Sequence, residues 1–214
     1  MKIAALADQS GRRALENRVA GTGILIAWED SVDALSGHTD AIAYFDLSFK
    51  MDKRRILRLS DLLPKPVFIN SVVHTLEEIG RPFIRINAWP GFLERKICEL
   101  VFPADAEKEA AGVLDRLCWR YLAVADLPGM VSPRILATII NEAYYTLQEG
   151  VSARESIDTA MRLGTHYPYG PFEWASIIGL SNIYSLLIAM GATDPCYKLS
   201  DLLKEEALKM RIDY

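Results

Sequence analysis

The chain has 214 residues, half of them hydrophobic and 24% charged, which is enough apolar material for one or two cores without a metal or disulfide framework. A net charge of −4, with the basic cluster confined to residues 50–58, argues against nucleic acid as a partner. Cys98, Cys118 and Cys196 form no CxxC pair, no apolar run reaches the roughly 20 residues that span a membrane, and the start MKIAALADQSGRR has no secretory pattern, so zinc is not expected and the sequence reads as cytoplasmic.

Along the chain, KIAALA reads as a strand, GRRALENRVAG as a helix, GILIAW and DAIAYF as strands, residues 51–60 as a helix and PVFINS as a strand. PFIRINA and YLAVAD continue the series, with DAEKEAAGVLDRLCWR between them as an amphipathic helix. Short apolar runs separated by helix-length segments predict parallel strands with crossovers. Residues 1–127 are therefore expected to form an α/β domain, and Pro128 and Gly129 to act as a hinge. Residues 128–214 read as all-α. Ile135 to Gln148 has helical periodicity, and Gly150 supplies its stop. Ser152 with Glu155 three residues on reads as a capping box for the next helix, and SNIYSLLIAMG and LSDLLKEEALKM complete the domain.

A dinucleotide fold needs glycines after its first strand, because the backbone must approach a pyrophosphate at a helix N-terminus. Here that turn reads Ala7, Asp8, Gln9, Ser10, Gly11, so the Gly-x-Gly-x-x-Gly pattern is absent and Asp8 brings a carboxylate to the place of phosphate oxygens. Glu29, about twenty residues on, stands where a ribose-binding acid is expected. A strand-end cap or a solvated loop acid accounts for it equally.

Residues 128–182 carry an ordered series of unusual positions: a proline-glycine before a long helix, an Asn-Glu-Ala triplet within it, a Glu-Gly at its end, an Ile-Asp-x-Ala-Met helix, and a Tyr-Pro-x-Gly-Pro loop ahead of Gly-Leu. The series resembles the C-terminal helical domain of 3-hydroxyacyl-CoA and 3-hydroxybutyryl-CoA dehydrogenases, and the resemblance reaches back to about Asp40. It implies a reduced Rossmann-like parallel sheet followed by a helical dehydrogenase domain. It also implies NAD as the family's cofactor, acyl-CoA as its ligand, and a homodimer paired through the helical domain. The stretch before DAIAYFDLSFK is short, without room for the helical hairpin that contacts CoA in the family. Lys50 aligns with a family lysine, and is either a phosphate contact or part of a solvated face with Lys53, Arg54 and Arg55.

The family's chemistry uses a histidine as general acid/base, oriented by a glutamate twelve residues later, with a serine and an asparagine holding the substrate oxygen. RINAWPGFLERKICELV resembles the strand and helix that carry this pair, and counting back twelve from Glu99 gives Asn87, which has no proton to titrate near neutral pH. INSVVHTLEEIG places Asn70 on an asparagine, Ser71 on a threonine and Val72 on the catalytic serine, which removes a hydroxyl donor. PGMVSPRIL puts Pro133, with Ser132 beside it, at a second asparagine. His74 is either a replacement base or a structural histidine; His166 is expected to fix a turn and His38 to be solvated. Glu99 reads as a helix-surface acid or a buried hydrogen-bonding carboxylate, and Tyr214 aligns with the family's terminal tyrosine. Three functional readings follow: a catalytically degenerate relative that binds acyl-CoA or a partner, an active short-form NAD-dependent enzyme of fatty acid metabolism, and a structural dimerisation module.

Overall fold

The computed structural model describes residues 1–104 and 106–212, in two compact units, Met1–Met130 and Val131–Tyr214. Tyr214 itself lies outside the described residues. The architecture is α/β followed by all-α.

The first unit runs β1 (Lys2–Leu6), α1 (Gln9–Val19), β2 (Leu25–Glu29), a 3-10 turn (Asp33–Gly37), β3 (Tyr44–Asp46), α2 (Lys53–Ser60), β4 (Val67–Asn70), α3 (Leu76–Ile79), β5 (Ile84–Ile86), β6 (Ile97–Val101), α4 (Glu107–Arg116) and β7 (Arg120–Ala123). Its sheet has the order β2-β1-β3-β4-β5-β6-β7, parallel throughout except where β5 meets β6. Both faces are covered, which is why the inner strands read as unbroken apolar runs. Ile3, Ala5, Phe45, Phe68, Ile84 and Ile86 enter one core, with Phe45 stacked on Phe68 at 4.5 Å. Ala4, Tyr44, Val67, Ile69 and Phe83 enter the other.

One local expectation is corrected here. Residues 97–101 form a strand rather than the expected helix, because Cys98 and Leu100 alternate into the core and the chain returns antiparallel along β5. The short helix α3 begins just after His74, and its capping box is written in the sequence: the Thr75 hydroxyl accepts from Glu78 N, and Glu78 accepts from Thr75 N.

The second unit contains α5 (Ser132–Gln148), α6 (Arg154–Thr165), α7 (Pro171–Ile178), α8 (Leu180–Thr193) and α9 (Asp201–Ile212). The unusual positions of the sequence meet one another in this unit. Within the Asn-Glu-Ala triplet, Asn141 donates to Lys198 O at 2.8 Å and accepts from Ser200 N at 3.0 Å, pinning the α8–α9 connection to α5. Asp158 accepts from Phe172 N and Glu173 N, so the α6 aspartate caps α7. Gly170 lies against that carboxylate so closely that a Cβ would stand 2.3 Å from Asp158 Oδ1. His166 ends α6 at φ 57°, the left-handed conformation of a helix stop. The expected Ser152 capping box does not form: the N-cap of α6 is Ala153, which makes no side-chain cap, and the start of the helix is held instead by Arg154 against Glu206 and the Tyr144 and Phe172 rings.

Candidate functional site

In an open parallel sheet, ligands bind beyond the carboxyl ends of the strands where the strand order reverses. In this sheet the reversal falls between β1 and β3. Leu6, Asp8 and Gly11 occupy the three spacings of a dinucleotide loop, and only the third is glycine. Gly11 keeps the packing role of that position, since a Cβ there would meet Ala7 Cβ at 3.0 Å and Leu47 Cβ at 3.7 Å. Asp8 is the N-cap of α1, and its Oδ1 accepts from Gly11 N at 2.7 Å. A carboxylate thus fills the end of the helix that would otherwise attract phosphate. Leu47 N donates to Leu6 O at 2.8 Å, tying the two loops together across the crevice.

The acids around this crevice have partners. Asp46, at the end of β3, is fully buried and receives Arg55 Nε and Nη2 at 2.6 and 2.5 Å, which docks α2 on the sheet. Burial raises its carboxyl above the usual range, and Arg55 offsets this only in part. Glu29 Oε1 lies 2.5 Å from His38 Nε2, and Lys2 Nζ lies 3.4 Å from the other ring nitrogen. This corrects the expectation of a solvated His38 and gives Glu29 a protein partner at its carboxylate. Lys50 is exposed in the loop before α2.

A second group gathers at the ends of β4 and β5. Asn70 donates to Leu47 O at 3.2 Å and accepts from Ala88 N at 3.1 Å, so its amide is engaged with backbone. Asn87 N donates to Glu99 O at 3.1 Å across the β5–β6 pair, placing these two side chains next to each other. Asn87 is 2% exposed and its Oδ1 has no hydrogen-bond partner. An amide beside a carboxylate can hold a donor, but it has no proton to exchange near neutrality. His74 stands apart, with its side chain 43% exposed and its ring 3.4 Å from Glu78. Glu29, on β2, is four strand spacings from β5, about 19 Å at the usual separation.

Sequence reasoning missed the residue that organises this end. Arg85 is wholly buried, and donates through Nε to Ser71 O at 2.8 Å and through Nη2 to Val72 O at 3.1 Å and Leu127 O at 3.3 Å, while Nη1 pairs with Asp126. Asp126 also accepts from Leu76 N at 2.8 Å. The arginine therefore ties together the loop after β4, the start of α3 and the segment after β7. An arginine inside the apolar run PFIRINA was the available signal.

Comparison with known proteins agrees with this architecture. Residues 129–212 match the model of the 3-hydroxyacyl-CoA dehydrogenase C-terminal domain. The 3-hydroxyadipyl-CoA dehydrogenase of Escherichia coli K12 is 37% identical over 132 residues, 61% of this chain and 28% of that one. The 3-hydroxybutyryl-CoA dehydrogenase of Bradyrhizobium diazoefficiens is 42% identical over 102 residues, 46% of this chain and 35% of that one. Over these stretches the chain is similar to 3-hydroxyacyl-CoA dehydrogenases, and its helical unit to their C-terminal domain. The matched stretches span about a third or less of these relatives' length. The fold is shared with the (S)-3-hydroxybutyryl-CoA dehydrogenase structure from Ralstonia eutropha, at TM-score 0.75 and 19% identity over 95% of this chain and 92% of that one. Asn87 and Glu99 are bonded through their main chains at the end of β5, Asn87 N to Glu99 O. Val72 contributes its carbonyl to Arg85 and to Gly129 N, and has no side-chain donor.

Proposed function

We propose that this chain is a catalytically degenerate member of the 3-hydroxyacyl-CoA dehydrogenase family, acting in acyl-CoA metabolism as a non-catalytic subunit that pairs through its helical unit. The observation that carries the reading is the Asp8 carboxylate on the first-turn N–H of α1. A dinucleotide's pyrophosphate would meet like charge there, a cost that rises as water is excluded. The residues at the crevice therefore do not fit NAD, and no hydride step is routed through it. The pairing of Glu29 with His38 and the absence of a titratable group at Asn87 support the same reading. The three unpaired cysteines suit a reducing compartment, the cytoplasm, and among the described residues no single helix is long and apolar enough to cross a membrane.

The test is NADH oxidation with acetoacetyl-CoA at high protein concentration. We expect no rate above background. Turnover in the usual enzyme range, about 1 to 10³ per second, would establish the active short-form reading instead, with His74→Ala as the next variant. Calorimetric titration with acetoacetyl-CoA then separates a chain that binds acyl-CoA from one whose role is pairing alone.

A further inference from the structure

We draw no further inference here: the strongest candidate, the side-chain cluster of the first unit in which Arg18 Nε and Trp119 Nε1 lie buried without hydrogen-bond partners near the Cys98 thiol, carries no ligand site, because neither nitrogen has water-sized space beside it.

Discussion

Arg85 brings a permanent charge into the first unit with no water around it, and burial lowers its proton affinity while Asp126 raises it. Removing one partner of a buried ion pair typically costs about 3 to 5 kcal/mol, and Arg85→Met also takes the arginine donor from Ser71 O, while Val72 O and Leu127 O keep Gly129 N and Met130 N. We expect a loss near the lower end, because Asp126 keeps some contact with water, read as a fall in the urea midpoint. Arg85→Lys should recover little, since an ammonium cannot reproduce the planar fork. An undiminished midpoint for Arg85→Met would show that the network is dispensable. The thiols give a second prediction. Cys98 is buried and its thiol is pushed up by that burial, Asp194 raises the exposed Cys196 by hydrogen bonding, and Cys118 is exposed. Since the thiolate is the reactive form, Ellman's reagent should modify Cys118 first, Cys196 more slowly and Cys98 only after denaturation. Three fast thiols in the native chain would contradict the packing around β6. Asp8, Asn87 and Val72 were legible in the sequence because each breaks a pattern at a known spacing. Arg85 was not, because its partner Asp126 is 41 residues away and no local pattern joins them.

At the level of elements, the sequence was most informative where periodicity and punctuation agree. Helix α5 has both, whereas β6 has only five residues, too few to separate a strand from a turn of helix until β5 is known to lie beside it. The Tyr-Pro-x-Gly-Pro loop was visible as a motif, but its cause was not: Gly170 has an ordinary backbone conformation, φ −74°, and is required by the Asp158 carboxylate pressed against it. Gly170→Ala should therefore cost about 1 to 3 kcal/mol through overpacking, with loss of the α7 cap. Thermal unfolding followed by circular dichroism would test this, and adding Asp158→Ala should recover none of the loss, because its Cβ would still lie 2.4 Å from a Cβ at position 170. Equal melting temperatures for Gly170→Ala and the unaltered chain would mean that the contact relaxes freely.

For the molecule as a whole, 24 cationic residues against 28 anionic ones leave a modest net charge and a pI near 5.5. Repulsion between copies vanishes there while exposed apolar side chains such as Ile135 of α5 remain, so turbidity should peak close to pH 5.5 and clear by pH 7. Turbidity rising steadily toward pH 7 would point to association governed by something other than net charge. The two units divide after Met130, just past Pro128 and Gly129, where strands cease to alternate with helices and only helices follow. The proposed non-catalytic role rests on departures from a family pattern that the sequence displays at Asp8, Val72 and Asn87. The pairing of Asn87 with Glu99 shows what such a departure leaves in place. Those two positions face each other because the main chain of one strand is bonded to the other, Asn87 N to Glu99 O, whatever side chains they carry. The hairpin's main chain thus holds the two positions together independently of their side chains, while the amide at position 87 itself costs folding energy, because its Oδ1 is buried without a hydrogen-bond partner.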